Sequence, residues 1–278
     1  MSDWRPGAQP QALRMRAALY ARIRAFFHAR KVLEVDVPLI GLTAASDPHI
    51  DSIGVDCAER SSQSAQSSQS SQSAHYLQSS PEYFMKRLLS AHGEAIYSLG
   101  KAFRKGETGV RHNPEFTLLE WYRPGFDEQT LMDEVESLLG EVLSLSSVQR
   151  VSYRELFLDR LEIDPHQVSL KKLQNIARQY TDIRWDDEDR DVWLDLLMTH
   201  CIEPSLGPGL VFIYDYPESQ AALAKVQCDS TGTLVAKRFE AYVDGIELAN
   251  GYWELTDAEE QSRRFQKDIA QRQELGVC

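Results

Sequence analysis

Two periods of apolar residues run along this chain and divide it into helices and strands. Met15, Leu19, Ile23, Phe26 and Phe27 recur at helical spacing and predict an amphipathic helix over 11–30. Leu33, Val35 and Val37 then alternate with Glu34 and Asp36, a half-buried strand that Pro38 ends. Ser79 and Ser80 precede Pro81 and Glu82, a helix start with proline in the first turn, and Gly93 is placed to end that helix. Strands are predicted over 96–104 and 116–122, joined by a charged loop containing glycine. Leu131, Val135, Leu138, Leu139 and Val142 mark another amphipathic helix, and 164–191 reads as a helical, acidic connector. Residues 210–214 form an apolar run expected to be a buried strand. Phe239, Ala241 and Val243 alternate with polar neighbours up to Asp244-Gly245, a strong hairpin signal, with the return strand over 246–253. Thr256 and Glu259 predict a capping box opening a polar helix that runs to about Gly276. Helices alternate with strands, but hairpins dominate the pairing. The expected class is therefore α+β, an antiparallel sheet flanked by helices, rather than a doubly wound parallel sheet.

Composition narrows the partners. The 278 residues carry 42 Asp and Glu against 30 Lys and Arg, a formal charge of -12, which argues against a surface built to grip phosphate backbones. The four cysteines are scattered without a CxxC pair, so neither a disulfide framework nor a zinc site is suggested. Residues 1–10 are polar and include Asp3, unlike a signal peptide, and no apolar run approaches the ~18 residues of a membrane span. A cytoplasmic protein without membrane partners is expected. Residues 61–74 are Ser, Gln and Ala throughout, a tract too polar to offset its ordering entropy, and read as a flexible surface insertion.

Three segments carry candidate chemistry. The first, FRKGETGVRHNPEFTLLEWY at 103–122, brings Arg104, Arg111 and His112 near Glu115 and Glu120 at one end of two strands. A surface hairpin with solvated charges is the plain reading. Two arginines beside an aromatic also suit a nucleotide, guanidinium on phosphate and ring on base. The second, FEAYVDGIELANGYWEL at 239–255, pairs Val243 with Ile246 and Tyr242 with Glu247 around its turn. Glu240 then shares a sheet face with Glu247, diagonal to it at roughly 7 Å. Two such carboxylates repel unless a cation lies between them, and magnesium on a triphosphate takes one or two carboxylates plus phosphate oxygens. Two exposed acids on a wet face is the competing reading. On an ideal pleat Asn250, Tyr252 and Glu254 fall on the opposite face, unless a bulge marked by Gly251 re-aims them. The third, SSPEYFMKRLL at 79–89, places Glu82 in a first helical turn, where the helix dipole favours any acid.

In this order the three segments resemble class II lysyl-tRNA synthetases, most of all the shorter paralogs that lysylate elongation factor P. The likeness runs from about residue 13 to 276, and the strings HNPEFTLLEWYRPG and GIELANGYWELTDAEEQ are long and specific. Residues 16–38 resemble motif 1, the helix and proline-ended strand of the family's dimer interface, and 103–122 resemble motif 2. The resemblance implies a single catalytic domain over 1–278. It implies that Arg104 bridges the ATP α-phosphate and the amino-acid carboxylate as the catalytic contact, with Arg111, His112 and Phe116 also on ATP, Phe116 beneath adenine. It makes Glu240 and Glu247 the magnesium-phosphate ligands and Glu82 the acceptor of the substrate α-ammonium. Glu120, Tyr122 and Glu254 would surround the side-chain ammonium, with Asn250 on the carboxylate and Tyr252 in the same substrate set. A lysine-like substrate needs an anionic partner at each end of its apolar stem, which this set supplies.

The chain departs from the family pattern in three places. Where synthetases read Arg-x-Glu, it has Arg104-Lys105-Gly106, with Glu107 one place on. The Ser/Gln tract stands where the family has ordinary structure. The family's motif 3, with an arginine on ATP, would follow Gly276 and is expected to be missing. With motif 1 beginning near residue 13, no anticodon-binding barrel is expected ahead of it, and Ala249 reads as in the paralogs. The expected function is ATP-dependent activation of lysine or β-lysine, with Mg2+, and transfer to elongation factor P by a homodimer that uses no tRNA. A lysyl-tRNA synthetase catalytic fragment and a non-catalytic relic lacking motif 3 are the alternatives.

Overall fold

The computed structural model describes residues 5–48, 50–57, 75–110, 112–182, 185–274 and 276. The Ser/Gln tract and Arg111 lie outside them. The chain divides into two compact units, one made of the residues up to Pro124 with those from Ser262 onward, the other of Gly125–Gln261.

The first unit runs α1 (Pro10–Ala29), β1 (Leu33–Glu34), β2 (Ile40–Gly41), β3 (Gly54–Val55), β4 (His75–Leu77), α2 (Glu82–His92), β5 (Ile96–Phe103) and β6 (Glu115–Tyr122). β5 and β6 form an antiparallel pair, with β1 alongside β5 in parallel. Successive strand residues point to opposite faces. On one face α1 covers the pair: Phe27 stacks on Tyr97 at 4.4 Å and meets Trp121 edge-on at 5.5 Å, and the Tyr20 hydroxyl lies 3.1 Å from Thr117 Oγ1. The other face carries Phe116, Leu118, Glu120 and Tyr122, opposite Ala102, Gly100, Ser98 and Ile96. At its Tyr122 end that face is closed by α2, whose buried Met85 packs with Val37 and Ile96. Gly93 ends α2 as expected, at φ 70°, where a side chain would be strained.

The apolar stripe of α1 divides between core and surface. Ile23, Phe26 and Phe27 are buried in their own unit, while Leu13, Met15 and Leu19 are exposed. Of the predicted strand at 33–37, β1 keeps Leu33–Glu34, with the Val35 N–H still donating to the Tyr97 carbonyl at 2.8 Å, and Val37 turns into the core beneath α2.

The second unit runs α3 (Glu128–Val142), β7 (Val148–Ser152), α4 (Tyr153–Leu161), α5 (Leu170–Tyr180), α6 (Arg190–Leu197), β8 (Leu210–Pro217), β9 (Val226–Cys228), β10 (Leu234–Val243) and β11 (Ile246–Tyr252). A π-helical turn, Met198–Ile202, and a 3₁₀ turn, Glu203–Ser205, follow α6. The sheet order is β11-β10-β8-β7, with β9 also on β10. β7 and β8 are parallel and the rest antiparallel. Among the described residues the connector predicted over 164–191 contains one full helix, α5, before the cap of α6. One sheet face packs on a core of Phe157, Leu173, Trp193 and Leu194 through Val211, Ile213 and Tyr216. On the other, Phe239 meets Phe212 edge-on at 5.7 Å.

The last helix, α7 (Ala258–Glu274), is capped by Asp257 and not by Thr256. Asp257 Oδ1 accepts from the backbone N–H groups of Glu259 and Glu260, each at 3.0 Å. An aspartate is at least as good an N-cap as threonine and here stands one residue nearer the helix. Within the first unit Phe265 of this helix meets Tyr83 edge-on at 6.3 Å, and Arg272 donates to the carbonyls of Asp47 and Ile50. Among the described residues no helix is long and apolar enough to cross a membrane.

Candidate active site

The face of β6 left open by α1 holds one group of candidate residues. Phe116 and Glu120 lie four residues apart on it, about 13 Å at strand rise. An aromatic platform and a carboxylate are thus set along one line, with Gly100 and Ser98 behind them leaving the surface low. Arg104 follows β5. Its guanidinium carbon stands 5.2 Å from the Phe116 ring centroid, and its backbone N–H donates to the Pro114 carbonyl at 3.0 Å. Its Nε is buried without a hydrogen-bond partner, the condition of a group that awaits an acceptor. Glu107 sets its carboxylate 3.4 Å from Arg104 Nη1, so the shift of the acid by one place still returns it to the arginine. His112 is exposed in the same loop, with its carbonyl accepting from the Gly109 N–H.

At the other end of the line Glu120 is held at both oxygens. Ser80 donates to one at 2.6 Å and Tyr122 to the other at 2.9 Å. Burial nevertheless pushes the Glu120 carboxyl up to about 7, and the charge of Glu82 adds to the rise. Glu82 itself accepts from Lys86 at 2.7 Å, one turn along α2. Ser80 fixes both acids, since its hydroxyl oxygen also accepts the Glu82 N–H at 3.0 Å. Two carboxylates with one neighbouring ammonium leave an excess of negative charge where a cationic ligand would be welcome.

The second unit carries the rest. Tyr242 pairs with Glu247 and Val243 with Ile246, as the turn at Asp244-Gly245 predicts. Both turn residues have positive φ, 51° and 74°. The register then slips by one residue at Leu248, so that Ala241 faces Ala249, Glu240 faces Asn250 and Arg238 faces Tyr252. The bulge is therefore at Leu248 and not at Gly251. Its effect is the one sought from sequence: Glu240, Glu247, Asn250 and Tyr252 share a face. Gly251 has a different task. A Cβ there would lie 2.4 Å from Phe239 Cζ, so only glycine admits the ring. Glu254 lies just beyond β11, in a bridge with Ala224.

Glu240 is held at both oxygens, by Arg238 on Oε1 and by the Tyr242 hydroxyl at 2.7 Å on Oε2. Glu247 reaches solvent, yet loss of hydration in the site, followed by the charge of Glu240, pushes it up to about 7. Asn250 hydrogen-bonds it and opposes the rise. A third acid, Glu203, comes from the 3₁₀ turn after α6. Burial and then Glu240 raise it, and the Tyr242 hydroxyl bonds it. Among the described residues no three His, Cys, Asp or Glu side chains are disposed to hold a metal by themselves. Glu240 and Glu247, on one face of the hairpin, instead fit a cation that brings further oxygen ligands of its own, as one on a triphosphate does.

Sequence reasoning missed Ser80, Lys86, Glu203, Arg238 and Tyr242. Strand alternation could have found Arg238 and Tyr242, each two residues from Glu240. Nothing local marks Glu203.

Residues 1–275 match the class II tRNA synthetases (D, K and N). A Vibrio cholerae protein named elongation factor P–(R)-β-lysine ligase is 44% identical, over 99% of this chain and 83% of its own length. Proteins of the same name from Yersinia enterocolitica and Proteus mirabilis are each 42% identical, over 99% and 100% of this chain and 83% of their own lengths. The chain belongs to the class II tRNA synthetase family, in the branch of the elongation factor P–(R)-β-lysine ligases, and is a ligase.

Proposed function

We propose that this enzyme activates β-lysine or lysine with ATP and transfers the acyl group to a lysine side chain of elongation factor P. The observation that carries this reading is the line on β6: an aromatic ring under a guanidinium at one end, a carboxylate pair fixed by Ser80 at the other. That is the order of parts in an aminoacyl-adenylate, base and phosphate first, substrate ammonium groups last. In the first step a substrate carboxylate oxygen attacks the α-phosphorus, the bond to the bridging oxygen breaks and pyrophosphate leaves. Arg104 would lie on the developing charge, Phe116 under adenine, and Arg111 and His112 along the triphosphate. Magnesium held by Glu240 and Glu247 would supply charge neutralisation on the phosphates. Glu82 and Glu120, with Tyr122 and Glu254, would hold the two ammonium groups, and Asn250 and Tyr252 would line the same substrate. In the second step the ε-amine of the acceptor attacks the carbonyl, loses a proton and displaces AMP. The work is positioning and charge stabilisation, with no side-chain nucleophile.

The two units would serve as one catalytic domain. A charge of -12 suits a protein acceptor better than tRNA. The exposed Leu13, Met15 and Leu19 on α1 suit a two-fold homodimer, and the free Cys57, Cys201 and Cys228 suit the cytoplasm. Pyrophosphate exchange dependent on (R)-β-lysine or lysine tests the first step. Arg104→Ala should lower it on the order of a hundredfold, the effect of losing a transition-state charge contact. Undiminished exchange would overturn the assignment.

A further inference from the structure

Arg238 stands in no assigned role, yet it is the most constrained cation near the Glu240 carboxylate. Its guanidinium carbon lies 4.4 Å from the centroid of Tyr216 and 5.6 Å from that of Tyr252, its partner across the β10–β11 hairpin. One terminal nitrogen donates to the Gln220 carbonyl at 3.1 Å, and the other bonds Glu240 Oε1. Gln220 is anchored in turn, its amide donating to Asp195 Oδ1 at 2.7 Å. Only 14% of the Arg238 side chain and 15% of that of Glu240 reach solvent, so neither can swing into water without breaking this chain of contacts.

We propose that Arg238 is a positioning residue for Glu240: set over the rings of Tyr216 and Tyr252 and tied to Gln220, it fixes the carboxylate that shares a divalent cation with the triphosphate. This rests on the reading of Glu240 as a metal-phosphate ligand. Each carboxylate oxygen has two lone pairs. Arg238 takes one on Oε1 and Tyr242 one on Oε2, leaving the remaining pair of each oxygen in a fixed direction for a cation. Glu203 and Glu247 stand close by, and a flexible Glu240 would turn from their charge. A planar fork does what an ammonium cannot, since it can sit over the rings while bonding two acceptors. Because the same guanidinium also contacts Tyr252, Arg238 links the cation-binding carboxylate to a residue proposed for the amino acid.

The test uses the full chain and its R238M, R238K, Y242F and E240Q variants. Manganese with ATP is the probe, its binding followed by electron paramagnetic resonance. Metal-free ATP in chelator and the thermal midpoint without ligand serve as controls. R238M and R238K should both weaken the manganese–ATP complex roughly tenfold, the usual effect of removing a partner of a metal ligand, and leave metal-free ATP binding unchanged. Y242F, which loses only a hydroxyl, should weaken it less and keeps the test open if the Arg238 variants do not fold. Unchanged manganese–ATP affinity in the Arg238 variants, with a clear loss in E240Q, would overturn the positioning role alone. The same affinity in E240Q would overturn the metal-phosphate reading itself, and equal losses with and without metal would show Arg238 to be merely structural.

Discussion

Glu240 lies opposite Asn250 across the β10–β11 hairpin, although a regular pleat would place Ala249 there. The displacement is one residue, accommodated at Leu248, which is half exposed. Because strand faces alternate with period two, that single residue decides whether Asn250 and Tyr252 share a face with Glu240. Deleting Leu248 removes the unpaired residue and should leave a regular ladder with Asn250 still opposite Glu240. Manganese–ATP affinity and exchange activity should then both survive, with far-ultraviolet circular dichroism showing a folded chain. Collapsed affinity in a folded chain would mean that the bulge itself, and not the register it sets, is needed by the site.

Gly251→Ala tests the packing behind that hairpin. The new methyl would lie 2.4 and 2.5 Å from two atoms of the buried Phe239 ring and 3.2 Å from Leu131. Phe239 is held in turn by Phe212, so it has no easy retreat. Overpacking of this kind destabilises by about 1–3 kcal/mol. A lowered urea midpoint with unchanged slope is expected, and an unchanged midpoint would show that the core yields.

The Glu120 carboxyl, pushed up to about 7 by burial, predicts a pH dependence of substrate binding. A substrate ammonium needs the carboxylate form. Affinity for lysine or β-lysine should therefore fall as the pH drops below about 7, approaching tenfold per unit. Glu120→Gln should abolish the dependence. The stability contribution has the opposite sense. The unperturbed carboxyl titrates near 4.5, so between there and about 7 the folded chain holds a proton that the unfolded chain has lost. Stability from this group therefore falls as pH rises through that window, and calorimetry of the ligand-free protein at pH 5, 6 and 7.5 checks it.

Glu254→Gln keeps the shape of the side chain and removes its charge. If Glu254 faces the distal ammonium, lysine affinity should fall at least tenfold while ATP affinity changes little, as for a buried charge left unpaired. Equal losses for both ligands, measured by calorimetry, would make the residue structural.

Dimerisation should depend on the exposed half of α1. Met15→Glu and Leu19→Glu change residues that are 64% and 37% exposed, so the monomer fold should survive. Sedimentation of the parent as a dimer at micromolar concentration, and of the double variant as a monomer, is the expected result. A monomeric parent would refute the interface.

Local grammar in the sequence determined most of the elements. The helical spacing of α1 and α3, the Gly93 stop, the β5–β6 pair, the buried β8 and the Asp244-Gly245 turn all follow from side-chain period, φ preference and turn chemistry, each acting over a few residues. The same reach delivered Phe116, Glu120 and Tyr122 to one strand face, because alternation along a strand is a local rule. Tertiary structure decided what alternation could not. It placed the bulge at Leu248 instead of Gly251, and gave Gly251 the task of admitting the Phe239 ring. It buried Ile23, Phe26 and Phe27 of α1, with Phe27 on Tyr97 and Trp121, seventy and more residues away in sequence. It also brought Gln220 to Arg238 and Glu203 to the neighbourhood of Glu240, from two other segments. Such contacts depend on which surfaces meet once the chain has closed on itself, and on which polar groups must then be satisfied, and no window of neighbouring residues carries that information.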